Sequence, residues 1–269
     1  MTRPWLAPRV LLIAGLLLAA PATAIEWTSF EGASRGYPAM RDLAGRTVAD
    51  GEFAQWVENG RLHVSLAYVG KARRIEEKAV FRQDRQLVQE TWSLREVRDG
   101  ALYRQFEVNF IKGTAAAQKR DDAGTELESW SDDVKVDVGR AFAGFGFTLA
   151  VKAVRARLKR GEHVELQAVG FTPKPQVVTV DLSFAGTDRL RMAGRTMTGE
   201  RFVVHPKLPW IAKLFVEVPD AQIWLTPAPA AFLRWEGPLA EPSDPVTRVD
   251  LLPGGPSEAA TPVATTGRR

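Results

Sequence analysis

The 269-residue chain contains no cysteine. That absence excludes a disulfide framework, a thiolate nucleophile, a cysteine zinc site and a covalently attached haem. It also removes the lipid-acceptor cysteine that anchors a bacterial lipoprotein after its signal. Histidine is limited to His63, His163 and His205, and no H-x-x-x-H or H-E-x-x-H spacing links them. Histidine therefore offers no metal motif, and no metal or other cofactor is expected. Charge of one sign is scarce as well. The formal +4 is a small surplus of 36 basic over 32 acidic residues, too slight for the basic footprint of a nucleic-acid-binding protein. Long hydrophobic runs are missing: Val10–Ala20 supplies eleven apolar residues, against the roughly 20 that a membrane-crossing helix needs.

That short run does fit a secretory signal. Arg3 and Arg9 form the positive region before it, and Ala22-Thr23-Ala24 follows it as an A-x-A cleavage site. Residues 1–24 are expected to be removed, leaving Ile25 as the first residue of an exported, periplasmic or extracellular protein. Losing two arginines and no acids takes the formal charge from +4 to +2. Residues 25–252 read as one β-rich domain. Residues 253–269, rich in Pro, Gly, Ser, Thr and Ala, read as a disordered tail.

From about residue 50 the chain alternates. Leu62, Val64, Leu66 and Tyr68 fall on one face, with Arg61, His63 and Ser65 on the other. Leu102, Phe106, Val108 and Phe110 repeat the pattern, with Arg104 breaking the row. Val134, Val136 and Val138, and then Val178, Val180, Leu182 and Phe184, predict two more strands. Period two with one polar face is the mark of half-buried antiparallel strands. Turn chemistry separates them at Asn59-Gly60, Asp99-Gly100, Gly113 and Ala185-Gly186. Further candidates lie at Phe53–Val57, Ile75–Phe81, Leu87–Val97, Val164–Val169, Phe202–His205, Ile223–Thr226, Ala231–Glu236 and Val246–Leu251. The fold class is mainly β (α+β): a curved antiparallel sheet or open half-barrel of about a dozen strands.

Two segments break the alternation. Phe147, Ala150, Val151, Val154 and Leu158 recur at helical spacing, and Gly161 ends the run. Lys152, Arg155 and Lys159 occupy another face, expected to meet water. A short helix is predicted over Leu208–Phe215, with Pro209 near its start.

Candidate chemistry is sparse. Gly32-Ala33-Ser34-Arg35-Gly36 matches G-x-S-x-G, but Pro38 follows and no βαβ alternation surrounds it. Without a strand–turn–helix context Ser34 is not expected to be a nucleophile, and no catalytic residue is assigned. His205, before Pro206, is the histidine with the most constrained setting. Asp121–Asp133 holds six acids without an EF-hand register, which reads as a solvated hairpin. Lys152–Arg160 holds five cations and no acid, which suits the end of a helix. Aromatic side chains remain. Trp92, Phe106, Phe147, Trp224 and Trp235, with His205, are the candidate ligand-binding residues if the sheet encloses a hollow.

The stretch Phe202–Leu239, FVVHPKLPWIAKLFVEVPDAQIWLTPAPAAFLRWEGPL, resembles the closing part of exported bacterial β-proteins classed as domains of unknown function. Their final strands carry a similar V-P-D…I-W-L…L-R…E-G-P-L cadence, and the hairpin meander of Gly51–Gly113 is similar too. The resemblance implies no catalytic residues. In pattern the chain also resembles periplasmic lipoprotein carriers, which implies a half-barrel plugged by helices that holds acyl chains. The resulting expectation is a non-enzymatic protein, monomeric by default, that binds an apolar or amphipathic envelope component such as a lipid or a lipidated protein. Two alternatives stand beside it: an envelope hydrolase using Ser34 or His205, and an interaction module that pairs through a sheet edge.

Overall fold

The computed structural model describes residues 24–27, 30–121, 124–172, 174–192, 194–207 and 218–251. The signal segment up to residue 23, the short helix predicted over Leu208–Phe215 and the tail 253–269 lie outside the described residues. The first half of the chain forms β1 (Ser34–Gly36), β2 (Ala39–Arg41), β3 (Thr47–Glu58), β4 (Arg61–Val69), β5 (Arg73–Gln83), β6 (Leu87–Arg98), β7 (Ala101–Asn109), β8 (Thr114–Arg120) and β9 (Leu127–Asp133). β10 (Ala141–Phe142) and the helix α1 (Gly146–Lys159) follow. Then come β11 (Val164–Phe171), β12 (Pro175–Met192), β13 (Arg195–Pro206), β14 (Ala221–Leu225), β15 (Phe232–Gly237) and β16 (Thr247–Asp250).

All sixteen strands belong to one sheet. Its order runs β10 to β16, then β2 to β9, with β1 paired to β3 beside the main path. β16 pairs with β2, which joins the late half of the chain to the early half. Every strand pairing is antiparallel except that of β10 with β11. β9 and β10 end the order without pairing, so the sheet is not closed into a barrel.

Local chemistry explains most of this. Leu62, Val64, Leu66 and Tyr68 of β4 are buried and their neighbours are not, as alternation requires. Asn59 and Gly60 have φ of 50° and 72°, and Asp99 and Gly100 of 49° and 79°. Two successive positive φ values make a type I′ turn, whose twist suits a two-residue hairpin.

The structure corrects three expectations. Val134–Val138 is not a strand; β9 ends at Asp133, and residues 134–140 link it to β10 at the other end of the order. Ala185-Gly186 is not a turn. The register shifts between Phe184 and Gly186, a bulge that absorbs one extra residue, and β12 runs on to pair Met192 with Arg195. Among the described residues the strands number sixteen, where alternation suggests about a dozen. Those left out are mostly short or polar, such as β1, β2, β9 and β10, where alternation has little apolar signal to show.

The long helix forms as its spacing predicts. Phe147, Ala150, Val151, Val154 and Leu158 are all buried, and Leu149 joins them. It packs against β6, β10 and β12. Full burial of side chains of this kind contributes about 1.5–3 kcal/mol each before ordering entropy is deducted. Around the helix the core is continuous. Phe106 of β7 stacks on Phe171 of β11 at 4.3 Å, and Trp92 of β6 lies 6.1 Å from the same ring. Strands from opposite halves of the order thus meet across one core. A smaller cluster of Leu190, Met192, Trp224 and Leu233 is separate from it.

Candidate functional site

An apolar groove of about 520 Å³ opens beside the first turn of α1, lined by Phe147, Val178, Val204, Pro206, Trp235 and Leu239 among others. Its size falls within the range typical of small-molecule sites, about 300–1,000 Å³. A pocket of about 50 Å³ adjoins it, sharing Gly144, Trp235 and Leu239 and adding Tyr68 and Glu77.

The turn into α1 sets the floor of this region, and side chains from β5 and β6 hold that turn. Buried Gln89 bonds Ala143 twice: its Oε1 accepts the Ala143 N–H at 2.9 Å and its Nε2 donates to the Ala143 carbonyl at 3.2 Å. Glu77 Oε1 accepts the Phe145 N–H at 2.7 Å and the Trp92 indole N–H at 2.8 Å. Gly144, at φ 53°, lies so close that any Cβ would strike the Glu77 carboxyl and the Trp92 ring. Glycine is required there for both reasons.

Glu77 is half-buried and lines the small pocket. Burial pushes the carboxyl up; the Phe145 and Trp92 hydrogen bonds oppose this but do not reverse it. Burial also pushes the Tyr68 phenol up, with the nearby Glu77 charge adding to the effect.

Residues 238–242, in the link from β15 to β16, line another part of the groove, and that link is held by an ion cluster. Arg104 is 1% exposed. Its Nε donates to Glu96 at 2.8 Å, one Nη to Glu241 and Asp244 at 2.6 and 2.7 Å, and the other Nη to Asp244 at 2.9 Å. Lys119 adds a bond to Glu241 at 2.9 Å. Burial raises the Glu96 and Asp244 carboxyls, but the Arg104 charge and hydrogen bonds, joined at Glu96 by Arg73 and Arg98, outweigh it and leave both lowered. Arg104 is the residue that breaks the apolar row of β7, so its position in the sequence carried the signal. Glu77 carried one too: it shares the inward row of β5 with Ile75, Ala79 and Phe81.

The helix cations do not simply face water. Lys152, with its side chain 16% exposed, pairs with Glu31. Arg155, 18% exposed, donates to Glu200 at 2.5 Å, and Lys159 donates to the same carboxylate at 2.6 Å. An amphipathic pattern distinguishes apolar from polar faces but not water from a buried carboxylate.

Of the aromatic candidates, the structure brings Phe147 and Trp235 together at the groove. Trp92 and Phe106 lie in the filled core. Trp224 belongs to the separate small cluster, its indole N–H donating to Asp188 at 2.8 Å. His205 is exposed, its Nδ1 2.7 Å from Asp220. His163 likewise meets Asp181 at 2.6 Å, and His63 stacks on Trp56. Ser34 starts β1, an exposed strand paired with β3, and no helix follows it. The acidic run forms a hairpin, with Asp121 accepting bonds from Thr125 and Glu126, and Glu128, Asp132 and Asp133 exposed on β9. Among the described residues no His, Asp and Glu group is placed to hold a metal ion, and no helix is long and apolar enough to cross a membrane. No family model, curated protein or solved structure matches this chain.

Proposed function

We propose that this is an exported, non-enzymatic binding protein that takes an apolar or amphipathic envelope component, a lipid or the acyl chain of a lipidated partner, into a hollow of its sheet. The observation that carries the reading is the 520 Å³ groove with its apolar lining beside α1. The topology supports a hollow. Residues 134–140 join strands at the two ends of the order, and such a link spans at most about 30 Å. A flat path of fifteen strands would be roughly 65 Å wide. A strongly curved sheet meets both conditions, and α1 occupies its inner side.

The test is intact-mass measurement under non-denaturing conditions on protein purified from its native envelope. The expected result is a bound species of lipid mass on the native protein, depleted in Ala168→Trp, which projects a ring into the groove. Ligand-free native protein, or equal loading of native and variant protein, would overturn the reading.

A further inference from the structure

The Glu77 carboxyl does two separable things. One oxygen, Oε1, receives both donors that hold the turn into α1. Among the described residues no hydrogen bond reaches the other, Oε2, and Glu77 lines the small pocket that adjoins the apolar groove. A structural cap needs only the first oxygen. Glutamine would accept the same two bonds, so the helix start does not explain why an acid stands there.

The charge around the site narrows what the second oxygen can meet. The described residues lining the groove and the small pocket include no Lys, Arg or His; their charged members are Glu77 and Glu241. Glu241 is already bonded to Arg104 and Lys119. Tyr68 is the other titratable group at the pocket, and it carries no positive charge. Among these described residues an anionic headgroup would find an acid and no countercharge, whereas a cationic one would supply a countercharge to Glu77.

We infer that the site selects an amphiphile carrying a protonated amine, with the apolar chain in the groove and the ammonium on Glu77 Oε2. This rests on the groove being a ligand site and adds the class of head it accepts. The upward displacement of the Glu77 carboxyl agrees with an acid that no cation among the described residues neutralises.

The experiment loads the purified protein with Nile red, a neutral dye, at pH 7.5. It then titrates dodecylamine, dodecanol and dodecanoate, each below its aggregation concentration, against native protein, Glu77→Gln and Ala168→Trp. Dodecylamine should displace the dye from native protein at a concentration at least about tenfold below dodecanol, equivalent to ~1.4 kcal/mol, with dodecanoate weakest. Glu77→Gln should bring dodecylamine to the level of dodecanol while dodecanol itself is unchanged. If dodecanoate competes as well as dodecylamine, or Glu77→Gln keeps the amine preference, the selectivity is overturned and the groove reading survives. If no compound displaces the dye from native protein, or Ala168→Trp behaves like native protein, the groove reading fails and this inference with it.

Discussion

Glu77 of β5 and Glu96 of β6 are acids withdrawn from water on neighbouring strands, yet their carboxyls shift in opposite directions. Arg73, Arg98 and Arg104 surround Glu96. Among the described residues Glu77 has only a backbone N–H and an indole N–H. Burial alone therefore says little about an acid; the number of cations that accompany it decides whether it is a structural tie or a group awaiting a partner. The Arg104 cluster joins β6, β7, β8 and the link between β15 and β16 into one unit. The Glu77 pocket is left electrostatically incomplete.

Arg104→Met should produce the largest effect. Removing the shared cation leaves Glu96, Glu241 and Asp244 short of their main partner, and breaking a buried pair in this way costs about 3–5 kcal/mol. Urea melts at pH 7 would measure it. The native carboxyls titrate below their ordinary values, so their contribution is full above those values and is lost as pH falls through the folded pKa. In the variant the unpaired acids take up protons sooner, so its gap from native protein should narrow as pH falls towards 4. A gap that is constant with pH would mean that Arg104 acts through packing alone.

Lys152→Asp should come next. At an open surface position this change would move stability by no more than about 0.5 kcal/mol. Here it sets two acids side by side at Glu31, and the loss should exceed about 1 kcal/mol, since an attraction is replaced by a repulsion. Double substitution with Glu31→Lys should restore part of it; no restoration would show that the pair contributes nothing.

Glu77→Gln should change stability least, within about 1 kcal/mol near pH 5, because both donors keep an acceptor. Its sign depends on pH. The folded carboxyl binds its proton above the ordinary 4.5, so native protein loses stability as pH rises past that value, and the amide does not. Melts at pH 5 and pH 8 should show the variant gaining on native protein at the higher pH. A native protein that gains over this range relative to the variant would place a countercharge beside Glu77 and remove the contrast with Glu96.

Strands and helix were legible because burial alternates with a period that sequence reports directly. β4 and α1 show it in their apolar rows. The polar members of the site were visible only as interruptions: Arg104 in the row of β7 and Glu77 in the row of β5. Nothing local states that Arg104 meets Glu241 and Asp244, more than 130 positions away. Nor does it state that Trp224 sits in a different cluster from Trp235.

By itself the sequence determined the type and rough extent of most elements, their hairpin turns at Asn59-Gly60 and Asp99-Gly100, and the exclusion of any thiol chemistry. These follow from side-chain spacing, backbone preference and composition, all of which act over a few residues. Tertiary structure decided that β16 pairs with β2, that Gly144 lies against Glu77, and that α1 borders an apolar groove with the Glu77 pocket beside it. Each of those depends on which distant strands become neighbours, and the free energy of a buried charge is set by those neighbours rather than by the residue that carries it.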